Sequence, residues 1–184
     1  MEKDIIAELT SDHREVEQIF GRMTALPSGH PDRKRLMEEV TIELVRHSVA
    51  EEEYLYPAVR EHINGGDALA DKEIADHARV EETLKELEGR DADDPRFDQL
   101  FLALKTEVTS HVQDEEGNLF PKLMATCSQE ALDSLGNKIR TAKKMAPTRP
   151  HPAAPDKPPA NKLLAPGAGL VDRVRDFVTG RGKS

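Results

Sequence analysis

His47-Ser48-Val49-Ala50-Glu51-Glu52-Glu53-Tyr54-Leu55-Tyr56-Pro57 returns in altered form as His111-Val112-Gln113-Asp114-Glu115-Glu116-Gly117-Asn118-Leu119-Phe120-Pro121, 64 residues later. A second pair of segments keeps the same offset: Asp12-His13-Arg14-Glu15-Val16-Glu17 and Asp76-His77-Ala78-Arg79-Val80-Glu81. One offset for both pairs means that a helical hairpin was duplicated. Each segment keeps a histidine and, four residues on, a glutamate.

The flanking residues say where these side chains point. Met37, Val40, Leu44, His47, Glu51, Tyr54 and Ala58 follow steps of three and four, one face of a helix. Phe97, Phe101, Leu104, Val108, His111, Glu115 and Leu119 do the same. Ile6, Leu9, His13, Val16, Phe20 and Met23 form a third stripe, and Ala70, Ile74, His77, Val80, Leu84 and Leu87 a fourth. All four histidines, with Glu51 and Glu115, therefore lie on faces that must bury. A buried unpaired carboxylate costs several kcal/mol or a large pKa shift. Two of them meeting four imidazoles in one core call for cations, and imidazole with carboxylate suits iron, manganese or zinc.

Working outward, the chain reads as all-α, an antiparallel up-down four-helix bundle with a short fifth helix and a flexible C-terminal tail. The four main helices are predicted over about Asp4–Ala25, from after His30-Pro31 to Asn64-Gly65-Gly66, over Asp67–Glu88, and from Asp94-Pro95 to about Ala125. Ser128–Lys143 is a shorter fifth. Ala146–Ala160 holds six prolines and reads as an extended, flexible linker. Gly167–Thr179 is a short amphipathic helix through Leu170, Val171, Val174, Phe177 and Val178, and the tail is a candidate docking segment for a partner. Residues 1–142 thus form the bundle and 143–184 a basic appendage.

Composition agrees: 33% of residues are charged, 4% are aromatic and Trp is absent, which suits long amphipathic helices and not a β-sandwich. From Lys143 onward nine Lys/Arg face three Asp/Glu, a net of +6, so the first 142 residues carry −15 of the total −9. An acidic body argues against nucleic acid as its partner. The single Cys127 excludes an intrachain disulfide framework, and no run approaches the roughly 18 apolar residues of a membrane span. Met1–Thr10 does not read as a signal peptide, so the expected location is cytoplasmic.

The order His, His-x-x-x-Glu, His, His-x-x-x-Glu, with Glu-Glu-Glu-Tyr-Leu-Tyr-Pro and Glu-Glu-Gly-Asn-Leu-Phe-Pro after the second and fourth histidines, resembles the hemerythrin HHE cation-binding family over about residues 1–142. The resemblance implies a four-helix bundle around two non-haem irons with an oxo or hydroxo bridge. His13 and His47 would bind one iron, His77 and His111 the other, and Glu51 and Glu115 would bridge them. Manganese or zinc can stand in place of iron. The chain departs from the invertebrate oxygen carriers in two places. Their third helix has a second histidine where this chain has Glu81, a candidate seventh ligand or a solvated carboxylate; Glu17 is its repeat equivalent. Their fourth-helix carboxylate lies five residues after its histidine, where Glu116 stands, while Glu115 at four is preferred here. The added carboxylate charge favours ferric iron.

Tyr54 reads either as core packing or as a contact to the centre, with Asn118 opposite it in the repeat. Pro57 and Pro121 should kink or end their helices. His30, His62 and His151 lie off the repeat and read as solvated, and Cys127 as a lone buried thiol. Ferritin-like oxidases place glutamate before histidine, which disfavours that alternative. Three functions remain open: a protein binding oxygen, peroxide or nitric oxide for sensing, storage or detoxification; a di-iron enzyme decomposing peroxide; or an iron sensor that folds on loading.

Overall fold

The computed structural model describes residues 3–154, 160–179 and 181. Every regular element among them is helical. Helix α1 (Ile5–Ala25) opens on Asp4, whose side chain accepts the Ala7 N–H at 2.8 Å. The second rod is continuous: α2 (Asp32–Ala50), a π-helical turn π1 (Glu51–Leu55) and α3 (Tyr56–His62). Gly65, at φ 77°, turns the chain into α4 (Gly66–Leu87). The fourth rod repeats the second, as α5 (Phe97–Asp114), π2 (Glu115–Leu119) and α6 (Phe120–Thr126). Its start lies beyond Asp94-Pro95 because the Asp94 carboxylate takes the Arg96 N–H at 2.8 Å and holds a separate turn. Helices α7 (Gln129–Met145) and α8 (Ala160–Thr179) complete the chain.

The prolines do not end their rods, which run on to His62 and Thr126. In π1 the Tyr56 N–H bonds the Glu51 carbonyl, and in π2 the Phe120 N–H bonds that of Glu115, five residues back each time. The wider turn ends just before a residue that has no N–H to give and whose ring would crowd an α-helical carbonyl.

Two apolar clusters fill the bundle. One gathers Ile5 and Leu9 of α1, Leu55 to Val59, Ala70 and Ile74 of α4, Leu119 to Leu123, and Leu132 and Ile139 of α7. The other gathers Val16 to Met23, Leu36 to Val45, Val80 to Leu87 and Phe97 to Val108. His13, His47, His77 and His111 fall in sequence between the two on each rod, so a polar layer divides an apolar core. Helix α7 closes the first cluster and packs on α1 and α2. It comes so close at Gly136 that an added Cβ would lie 2.6 Å from the Lys3 carbonyl oxygen.

The segment after α7 is extended but not free of the body. Residues 146–150 are buried. Asp172 of α8 accepts the N–H groups of Thr148 and Arg149, both at 3.1 Å, and Arg149 pairs with Asp176 at 2.7 Å and with Glu88, just past α4, at 2.9 Å. These acid–base pairs hold a strap that composition alone reads as a loose linker. Residues 155–159 of that linker and the last three of the tail lie outside the described residues. Helix α8 starts earlier than its apolar residues suggest and turns them outward: Leu170, Val171, Val174, Phe177 and Val178 are exposed, while Ala165, Gly169, Asp172 and Asp176 face in. No helix among the described residues is long and apolar enough to cross a membrane.

Candidate metal centre

The helical steps that align the stripes bring the expected residues together. Donor atoms of His13, His47, Glu51 and Glu115 all lie within 4.8 Å of one another, as do those of Glu51, His77 and His111. Glu51 and Glu115 are fully buried, and the histidines nearly so. The His47 Nε2 lies 3.1 Å from Glu51, and the His77 Nε2 3.3 Å from the other Glu51 oxygen. Glu115 has one oxygen 3.4 Å from the His13 Nε2 and 3.5 Å from that of His111. Each inner glutamate therefore spans two histidines.

Three rings are held from behind by a carboxylate hydrogen-bonded to Nδ1: Glu116 for His13 at 2.8 Å, Asp12 for His47 at 3.2 Å and Glu52 for His77 at 3.0 Å; Glu73 lies 2.8 Å from the His111 Nδ1, but without the geometry of a hydrogen bond. Those hydrogen bonds fix the three rings and leave Nε2 directed inward, the arrangement seen behind metal-bound imidazoles. Asp12, Glu116 and Glu73 also meet cations. Lys143 of α7 lies 2.5 Å from Asp12, Arg14 2.5 Å from Glu116, and Lys72 3.0 Å from Glu73. The inner pair, Glu51 and Glu115, meet imidazoles and the Tyr56 hydroxyl in place of a lysine or arginine.

Tyr56 is the residue that periodicity missed. Its hydroxyl lies 3.0 Å from the His77 Nε2 and donates to Glu115 at 3.2 Å and to Glu51 at 3.5 Å. Tyr54, on the predicted face, lies half-buried against the first apolar cluster. The cause is π1: a turn wider than that of an α-helix rotates the residues beyond it, so a face extrapolated from His47 no longer includes residue 54. The repeat equivalent of Tyr56 is Phe120, which stacks on His13 with centroids 5.8 Å apart. The two halves thus differ at Tyr56 and Phe120. A second break concerns Glu73. The repeat predicts Asp76 behind His111, yet Asp76 pairs with Lys72 and Arg79 while Glu73, where the first half has Leu9, takes that place.

Glu81 accepts the His151 N–H at 2.6 Å and stands outside the sets of convergent donors found among the described residues. Glu17 is exposed beside Arg14, at 3.3 Å. His151, expected to be solvated, lies 2.9 Å from Asp172. His30 and His62 sit at the surface, and Cys127 is half-buried.

The electrostatics favour positive charge at the centre. Burial opposes charging of His47, yet Glu51 and Asp12 outweigh it and hold its pKa well above the usual histidine value. His77, likewise opposed by burial, is raised to about 10 by Glu51 and Glu52. Burial would raise Glu51, but His47 and His77 hold it well below the usual carboxylate range. Burial, then Glu115 and Glu51, push Tyr56 well above the usual phenol value. The His13 Nε2, one Glu51 oxygen and one Glu115 oxygen are buried without a hydrogen-bond partner, although each belongs to this cluster. Cations would satisfy all three, so the donor set fits a metal centre.

Residues 4–123 match the Hemerythrin HHE cation binding domain. The chain belongs to the hemerythrin HHE family. Among its relatives, an uncharacterised hemerythrin-like protein of Schizosaccharomyces pombe is 27% identical over 168 residues, covering 91% of this chain and 82% of that one. A protein of Nostoc named as a DNA nickase is 27% identical over 134 residues, 72% of this chain but 37% of its own length. In structure, an HHE cation-binding protein of Mycobacterium kansasii shares the fold, with a TM-score of 0.67 at 22% identity over 77% of this chain and 86% of that one.

Proposed function

We propose that this hemerythrin-family chain holds two iron ions through His13, His47, His77, His111, Glu51 and Glu115 and binds a small oxygen-related ligand, dioxygen, peroxide or nitric oxide, beside them. The support is the donor set itself: two fully buried carboxylates shared among four inward-facing imidazoles, with no lysine or arginine ion-paired to either carboxylate among the described residues. Iron bound there would supply a redox change and an exchangeable position for such a ligand. The rods are read as an antiparallel up-down bundle, since α1 and α4 run from the first apolar cluster to the second, and α2 and α5 run back.

The chain's own groups do the rest. Asp12, Glu52 and Glu116 orient three of the rings and fix which nitrogen faces in, and Glu73 adds a carboxylate beside the fourth. The Tyr56 hydroxyl, between two carboxylates and His77, is a hydrogen-bond donor at the floor. A cavity of about 20 Å³ adjoins the four histidines and is walled by Val16, Leu44, Val80, Val108 and Val112. That is space for roughly one water-sized molecule, which suits a diatomic ligand and excludes a bulky substrate.

Metal analysis of freshly purified protein should give two iron ions per chain, with near-ultraviolet charge-transfer bands that change reversibly with nitric oxide or oxygen. His111→Ala should lower bound iron and melting temperature together. Unchanged metal content in that variant would overturn the ligand set. Rapid oxygen evolution on adding peroxide would replace binding by catalysis as the function.

A further inference from the structure

Beside the metal centre lies a second, larger cavity of about 110 Å³ that the proposed function does not use. Leu44 and Val45 of α2 and Val80 and Leu84 of α4 form two walls, while Pro147 of the strap and Ala165 and Ala168 of α8 form the third. The strap therefore builds a pocket that α1 to α6 alone would leave as an open groove. Ser48, Leu44, His77 and Val80 border both this pocket and the small space over the histidines. Its mouth lies at Ala78, Pro152 and Ala154, all exposed.

The geometry points to a binding site for a small, neutral, mainly apolar organic molecule. Size comes first. A dry cavity of roughly 150 Å³ holds benzene, so this one holds about four or five non-hydrogen atoms. Charge comes next. Glu52 and Glu81 line the pocket, and the guanidinium of Arg149, which also lines it, is already paired with Glu88 and Asp176. The basic groups that remain on the lining are paired as well, His77 with Glu52 at 3.0 Å and His151 with Asp172 at 2.9 Å, so a carboxylate would meet Glu81 and no unpaired cation among the described lining residues, whereas a neutral molecule would not be repelled. A molecule seated there touches His77 and stands one side chain from the centre. This inference goes beyond the proposed function, because the pocket is built by the strap whatever occupies the centre.

The test uses full-length protein as purified and two probes of five non-hydrogen atoms each, butanone and propionate, followed by saturation-transfer NMR. Butanone should bind saturably and propionate at least tenfold more weakly. Ala168→Phe and Ala78→Leu fill the pocket from opposite sides and should each weaken butanone at least tenfold, with bound metal unchanged. If Ala168→Phe loosens α8, Ala78→Leu on the exposed lip still decides the matter. Absence of saturable butanone binding, equal binding of propionate, or wild-type affinity in Ala78→Leu would each overturn the inference.

Discussion

Asp12 ties three helices to the proposed centre, and replacing it isolates the work of a carboxylate that touches no metal. Its one oxygen holds the His47 Nδ1 at 3.2 Å and its other takes Lys143 of α7 at 2.5 Å. Burial would raise its pKa, yet His47 and Lys143 lower it, so it stands as the anion of a buried triad. Asp12→Asn keeps an acceptor for the ring but removes the charge; Asp12→Ala removes both. Loss of a carboxylate behind a ligating histidine costs about 10- to 100-fold in metal affinity. At about 1.4 kcal/mol per decade, that is about 1.4–2.8 kcal/mol. Asn should sit near the lower bound and Ala near the upper, measured by competition against a chelator of known affinity. Lys143→Met should weaken affinity less than Asp12→Ala, because it leaves the His47 contact in place. Wild-type affinity in Asp12→Ala would refute the reasoning outright. So would equal losses in Asp12→Ala and in a variant of Glu17, which lies one turn away and exposed.

Other outcomes rest on separate features. Tyr56→Phe removes the hydroxyl shared by Glu51, Glu115 and His77, and should destabilise the metal-free protein by about 1–3 kcal/mol in denaturant titration, with less loss once metal holds the carboxylates. Gly136→Ala forces α7 away from the start of α1 and should cost about 1–3 kcal/mol, read as a lowered denaturation midpoint. The strap should loosen in acid. Burial would raise Glu88, but Lys85 and Arg149 hold it below the usual glutamate value. A depressed carboxylate stabilises above its unfolded pKa, roughly 4.3, and that contribution fades as pH falls through the lower folded value. Limited proteolysis within residues 146–154 should therefore accelerate below about pH 4, and Glu88→Gln should show the fast rate already at neutral pH.

The long rods and the six inward donors were legible because burial writes a step of three or four into the sequence, and duplication writes it twice. Sequence periodicity does not separate an i+5 turn from an i+4 turn over five residues, so Tyr54 looked aligned where Tyr56 is. The available sign was Pro57 and Pro121 at equal positions in both copies, inside segments whose helical reading continues past them. Glu73 was invisible for the opposite reason: it breaks the repeat that exposed everything else. The outward stripe of α8 could not be foreseen, since its buried side is polar and is set by Asp172 and Asp176 meeting Thr148 and Arg149.

The paired π turns also bear on how the chain can vary. Loops between rods tolerate insertion, but one residue lost from Glu51–Leu55 would restore a regular helix and swing Tyr56 through His62 by about 100°. The matching stretch Glu115–Leu119 would do the same to Phe120 and the half beyond it. Length is thus frozen in two short windows of an otherwise forgiving chain, and an altered count in either should be tolerated only with a compensating change nearby.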